Sequence, residues 1–273
     1  MRTYRPLEAI RHVLAALMLG LMLTVSPASA TSYSTDQSDL WWIPAESGWG
    51  FQIVQRGSVI FLTMFVYGSA GGPTWYVATL NPTSPGSFVW DGDLYTANGP
   101  WFATVPYDPA LFTARKVGSM RWTPQTPTSG RLEYAADGVA VTKNVVRQTL
   151  VADDYGGTYL GAFHDTTTGC TNPANNVPPS NDPDVTITVT QSGQSVGIVL
   201  SHPGWFISIT GMLTQSGQLG SVSGTYSSSA GEVGNANISA MNVQANSVTG
   251  DFSLTSTSNG CQNTGYFSGM RAS

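Results

Sequence analysis

Period-two alternation is the feature that most narrows what this chain can fold into. Val185, Ile187 and Val189 alternate with Thr186, Thr188 and Thr190, and Val248, Gly250, Phe252 and Leu254 alternate with Thr249, Asp251, Ser253 and Thr255. A repeat of two sends successive side chains to opposite faces of a strand, so these runs read as half-buried strands. Turn signals at Ser192-Gly193, Ser216-Gly217 and Ala245-Asn246 divide the second half into about eight strands, starting near 157, 185, 195, 205, 221, 235, 247 and 264. The first half reads the same way, with strands near 40–43, 49–55, 58–67, 74–80, 87–95, 114–122, 130–135 and 139–148, and hairpin signals at Arg56-Gly57 and Asp137-Gly138. The expected fold class is all-β: two consecutive antiparallel up-and-down meanders, each a small barrel or a barrel-like sandwich.

A shift in composition separates the halves. Seven of the eight Trp lie between Trp41 and Trp122, whereas the chain after Asp154 is rich in Ser, Thr, Asn and Gly and holds one basic residue, Arg271. The boundary is placed near Val151-Ala152-Asp153-Asp154, giving an aromatic-rich module over 31–152 and a Ser/Thr/Gly-rich module over 153–273. Charged residues make up 10% of the chain, against roughly 25% in an ordinary globular protein. With a net charge of −5 and no Lys/Arg run, nucleic acid and anionic membranes lose their electrostatic basis as partners.

Residues 1–30 have the form of a signal peptide. Arg2, Arg5 and Arg11 precede an apolar run from Val13 to Val25, and Ala28-Ser29-Ala30 supplies the small residues a signal peptidase reads. The run is too short for the ~20 residues of a spanning helix, so no membrane span is expected after cleavage, and the destination is the periplasm or the exterior. The strands, mostly shorter than the 9 to 11 residues of a bilayer-crossing strand, argue against an outer-membrane barrel. In an exported chain the two cysteines, Cys170 and Cys261, are best paired, with two free thiols as the alternative. In a closed eight-strand meander the first and seventh connections share an end and become neighbours. Cys170 falls in the first and Cys261 in the seventh.

The stretch Leu40-Trp41-Trp42-Ile43-Pro44-Ala45-Glu46-Ser47-Gly48-Trp49-Gly50, followed by strands at Phe65-Val66-Tyr67 and Thr74-Trp75-Tyr76-Val77, resembles a β-rich module of exported bacterial proteins, some of them extracellular hydrolases. The likeness extends through Tyr107-Asp108-Pro109 to Arg147-Gln148 and covers the first module only; Ile43 stands where that module is expected to carry a polar residue such as Asn. It implies export and a β-rich fold. No mechanism comes with it.

Catalytic signatures are mostly missing. Ala45 breaks a Gly-x-Ser-x-Gly elbow at Ser47, and neither a Gly-Lys-Ser/Thr loop nor a His-Glu-x-x-His pair occurs. Asp91 and Asp93 share one strand face at a spacing compatible with glycoside chemistry, yet Phe88, Trp90, Gly92 and Leu94 read as the core face opposite, which leaves the aspartates in solvent. In the second module His164, Asp165, Asp182, Asp184, His202 and Glu232 fall toward one end; His164, Asp165 and His202 are the weak candidates for a metal, and neither a metal nor a cofactor is expected. Asn237-Ile238-Ser239 has the form of a glycosylation sequon inside a strand.

The aromatic set of the first module is more suggestive. Strand counting sends Glu46, Trp49, Trp75, Tyr95, Trp101 and Tyr107 toward one mouth, with Trp101 and Tyr107 in the long connection 96–113. Rings with polar tips suit sugars or small apolar ligands, although rings also simply fill small barrels. The sequence therefore reads as an exported, non-enzymatic binding or accessory protein for a small molecule or glycan. A secreted hydrolase and a structural or protein-interaction module are the alternatives.

Overall fold

The computed structural model describes residues 36–272; the leader assigned to 1–30 lies outside the described residues. Sixteen strands follow in order: β1 (Asp39–Trp42), β2 (Gly50–Arg56), β3 (Val59–Tyr67), β4 (Pro73–Pro82), β5 (Trp90–Asn98), β6 (Thr113–Thr126), β7 (Ser129–Ala136), β8 (Val139–Arg147), β9 (Gly157–Thr168), β10 (Val177–Ser192), β11 (Ser195–His202), β12 (Trp205–Ser216), β13 (Leu219–Ser228), β14 (Val233–Gln244), β15 (Ser247–Ser256) and β16 (Gln262–Arg271). Each consecutive set of eight closes on itself as an antiparallel barrel, β1 to β8 and β9 to β16. The meanders read from the alternation are thus barrels and not open sandwiches.

Closure differs between the two. β1 meets β8 through two residue pairs, Trp41↔Arg147 and Trp42↔Val146. β16 meets β9 in an unbroken ladder from Gln262↔Thr168 to Arg271↔Tyr159. That ladder brings the β9–β10 and β15–β16 connections side by side, and the Cys170–Cys261 disulfide joins them across 91 positions. Constraining so long a loop in the unfolded chain stabilises the barrel by about 4.6 kcal/mol in the chain-entropy account.

Apolar side chains point inward in both barrels. The first core packs Trp41 edge-to-face on Trp122 with ring centroids 4.7 Å apart, and Phe51 likewise on Trp122 at 5.7 Å. Gly130 makes room for it: a Cβ there would lie 2.1 Å from the Trp122 ring. The second core is more aliphatic, with Val185, Ile187, Ile198, Leu200 and Ile209 buried around the stacked pair Phe163–Phe252 at 4.6 Å.

Three sequence expectations need correction. Strands run longer than the pattern indicated, β6 reaching 14 residues, β9 12 and β10 16, so length no longer argues against a bilayer-crossing barrel. Orientation does, because an apolar interior and an outer wall carrying Thr, Ser, Asn and ion pairs invert the arrangement a bilayer requires. β10 starts at Val177 and not near 185: register shifts at Val177/Ser180 and Asp182/Val185 let it pass its prolines. Phe88, expected on the core face, sits exposed in the 83–89 connection, ahead of Trp90, where the buried face begins. Among the described residues no helix is long and apolar enough to cross a membrane.

Both barrels belong to one compact unit, and one buried arginine organises their junction. The Arg147 guanidinium donates to the carbonyls of Pro127, Ser38 and Asp36 at 2.8, 3.1 and 2.6 Å and to Asp39 Oδ2 at 3.1 Å, while lying 4.7 Å over the Trp41 ring. Burial pushes its pKa down, and Asp39 opposes that. The β12–β13 hairpin of the second barrel reaches the same spot: Gln218 donates its backbone N–H to Asp39 Oδ2 at 3.0 Å and its amide to Ser38 O at 2.6 Å. Gly217, at φ +62°, turns that hairpin where a Cβ would meet Asp39 Oδ2 at 2.1 Å.

Candidate functional site

In an up-and-down barrel the β1–β2, β3–β4, β5–β6 and β7–β8 connections share one end, and the aromatic candidates gather there. They do not share one surface. Glu46 ends a single 3-10 turn over Pro44–Glu46 and accepts from Trp49 Nε1 at 2.9 Å. From β8, at the inward position facing Leu132, Lys143 donates to both Glu46 oxygens at 2.9 and 2.7 Å and lies 5.6 Å from the Trp49 ring centroid. These bonds, Lys143 first and Trp49 second, hold the Glu46 carboxyl below the usual carboxylate range. Beneath them Ile43, Trp49, Val66, Tyr76 and Tyr134 pack on the core, and burial raises the Tyr134 phenol. The mouth is plugged, and the carboxylate expected to anchor a ligand is already engaged.

Trp75 and Tyr95 face the outer wall. Ala78 and Leu80 fix the inward parity of β4, which turns Trp75 outward opposite Phe65 and places Tyr95 opposite Val77. Trp101 and Tyr107 sit on the β5–β6 connection, 67% and 57% exposed, with Phe102 at 88% and Val105 at 92%. The Trp101 and Phe102 rings are 5.5 Å apart, and Asp108 caps a short turn by accepting from Ala110 N at 2.9 Å. A ligand at this end would meet rings on the outside of the barrel.

Asp91 and Asp93 face outward, as the alternation requires, and each is paired across to β6. Arg121 bonds Asp91 in bidentate fashion at 2.6 and 2.7 Å, and Lys116 reaches Asp93 at 2.7 Å. The Arg121 hydrogen bonds hold the Asp91 carboxyl low. A glycosidic general acid needs the opposite shift. The sequence reading missed both partners, although the antiparallel register Asp91↔Arg121 is what brings Arg121 into reach.

The polar candidates of the second barrel are dispersed. His164 and Asp165 lie within β9 and not in the connection after it: His164 Nδ1 bonds Asn181 Oδ1 at 2.7 Å and its ring stacks on Tyr266, while Asp165 accepts from Ser180 and from Asn263 at 2.8 Å. His202 stacks on Trp205 at 5.7 Å, and Glu232 accepts from Asn259. Asp182 and Asp184 lie in β10 beside its second register shift. Among the described residues no three His, Cys, Asp or Glu side chains converge to hold a metal ion.

No family model matches this chain, and no curated relative does. Among solved structures it is similar to a candidate outer membrane protein from Bacteroides fragilis, at 12% identity over 88% of this chain and 100% of that one, with a TM-score of 0.32. A superposition that loose carries no argument about role.

Proposed function

We propose that this is an exported, non-enzymatic binding protein of the periplasm or cell exterior, which takes a small neutral or apolar ligand or a glycan on the outside of its first barrel. The observation that carries this reading is the exposure of Trp75, Trp101, Phe102 and Tyr107 around one end of a barrel whose interior is already full. Core filling explains Trp41, Trp90 and Trp122; it does not explain rings left in water, and grouped exposed rings mark binding surfaces. The disulfide and the charged, apolar and small-residue order of the leader support export. The resemblance of the Pro44 to Gly50 stretch to a module of exported proteins points the same way.

The test is intrinsic Trp fluorescence titrated with glycan and lipid panels, wild type against Trp101→Ala. Several stacked rings, each worth about 0.5 to 1.5 kcal/mol beyond area burial, are needed for micromolar binding. The reading expects a saturable change that Trp101→Ala weakens about tenfold with little loss of stability. It fails if no ligand perturbs the signal and the variant is strongly destabilised. A second reading, docking of a partner protein, is favoured by Phe102 and Val105, which are apolar, almost wholly exposed and without a polar tip.

A further inference from the structure

A twisted closed sheet is narrowest at mid-height, so its outer wall is saddle-shaped there. In the first barrel that waist is deepened by small side chains into two adjoining grooves. One, of about 420 Å³, is bounded by Phe61, Thr79, Asn81 and Tyr95. The other, of about 580 Å³, continues over Asp91, Ser119, Arg121, Glu133, Ala135 and Thr142. They share Gly92 and Asp93, and together they cross β3 to β8.

We infer that this continuous groove is a track for an uncharged oligosaccharide chain. The inference rests on the reading that the first barrel binds its ligand on the outside, and it names where and what. Phe61 lies opposite Thr79, and Tyr95 opposite Val77, so the two rings stand on β3 and β5 with the β4 backbone between them. Two strand spacings across, roughly 9 to 10 Å, and two residues along β4, roughly 6 to 7 Å, separate the rings on a diagonal, so each can stack a different sugar unit of one extended chain. Asp93 sits at the junction of the grooves, with Oδ1 on Lys116 at 2.7 Å and Oδ2 receiving the Tyr95 hydroxyl at 3.4 Å. A carboxylate has about four lone-pair sites, so lone pairs remain for sugar hydroxyls. The exposed Asn81 amide adds a donor and an acceptor beside it.

Charge decides against other polymers. Asp91 is matched by Arg121, Asp93 by Lys116 and Glu133 by Arg131 at 2.9 Å. The groove therefore offers paired hydrogen-bonding groups without net charge, which suits hydroxyl-rich neutral chains and gives polyanions no attraction. An extended peptide usually gains affinity by adding a strand to a free sheet edge. This closed barrel has no such edge.

The experiment is isothermal titration of the disulfide-bonded protein with neutral gluco-, manno-, xylo- and chito-oligosaccharides, an oligouronide and an unrelated peptide set. Wild type is compared with Phe61→Ala, Tyr95→Ala and Thr79→Trp, the last filling the floor between the rings. Circular dichroism and Tm confirm folding of each variant. The expected result is binding of at least one neutral series and none of the oligouronide, a loss of roughly tenfold for each ring removed, and no detectable binding for Thr79→Trp. Neutral glycan binding unchanged in all three folded variants overturns the track but leaves the exposed loop, and the wider binding reading, in place. Failure of every ligand class with wild type overturns both, and peptide binding blocked by Thr79→Trp replaces the glycan with a protein partner.

Discussion

The two barrels share a topology and differ in how they are shut and what they show to solvent. The second closes along a full backbone ladder and a disulfide, with a wall of small hydroxyl side chains around an aliphatic core. The first closes through two residue pairs, with Arg147 binding across the seam to Ser38, Asp39 and Asp36, and carries exposed aromatic rings and several ion pairs on its outside. Strand order is set by alternation and turns in both cases. The contrast teaches that where the backbone ladder is short a buried side-chain clasp supplies much of the closure, whereas a long ladder carries most of it in backbone pairs. The first barrel also leaves Trp75, Trp101, Phe102 and Tyr107 in water, and the proposed binding rests on them.

The largest effect should come from the clasp. Arg147→Ala takes from Asp39 its charged partner and from several carbonyls a donor in a buried setting, and is expected to cost about 3 to 5 kcal/mol. Trp fluorescence, dominated by the first barrel, should report it, and Arg147→Lys should not restore it because one ammonium cannot serve four acceptors. A wild-type unfolding curve for Arg147→Ala would break the account of the seam.

Removing the disulfide through Cys170→Ser with Cys261→Ser should cost about 2 to 4 kcal/mol, below the chain-entropy figure because the reduced unfolded chain keeps some structure, and only in the second barrel. Denaturant curves followed by indole emission should move little, while far-ultraviolet curves gain an early transition. If both probes shift together, the barrels unfold as one unit and the comparison must be redrawn.

A smaller effect sharpens the junction. Gly217→Ala and Gly193→Ala both put a side chain at positive φ in a hairpin, +62° and +60°, but only the first meets Asp39 and Arg147. Gly217→Ala should therefore lose about 1 to 3 kcal/mol more than Gly193→Ala. Equal losses, read from urea midpoints, would remove the hairpin from the account.

The smallest effect concerns the outer wall. Asp91 and Arg121 are about half exposed, with side chains at 41% and 51%, so after solvent screening their pair is worth about 0 to 1 kcal/mol. Because the folded Asp91 pKa is depressed, the contribution is present above the unfolded value of about 3.9 and fades as pH falls through the lower folded one. The stability gap between wild type and Asp91→Asn should close on acidification. A gap that widens has the wrong sign for this pair.

Much of the fold was legible because strands with one buried face announce their parity. Parity fails where both faces are apolar, and Trp75-Tyr76-Val77-Ala78 is such a run. Its inward set is fixed only by Leu80 and by pairing to β3, so strand counting put Trp75 at the right end but could not show that it faces outward. Tyr95 follows a register shift after Leu94, which local spacing does not reveal. The Lys143 partner of Glu46 is 97 positions away, and Arg147 reads as an ordinary strand-end arginine until the barrel closes.

The central claim is that ligand meets the exposed rings of the first barrel and neither the cores nor the second barrel. The eight indole N–H signals of Trp41, Trp42, Trp49, Trp75, Trp90, Trp101, Trp122 and Trp205 can be followed by NMR during titration with a neutral oligosaccharide. The account predicts that Trp75, two positions along β4 from the groove residue Val77, moves, with Trp101 joining it where the ligand also meets the loop, while buried Trp41, Trp90 and Trp122 and the lone second-barrel Trp205 hold still. Movement centred on Trp205, or no movement at saturating ligand, would contradict it.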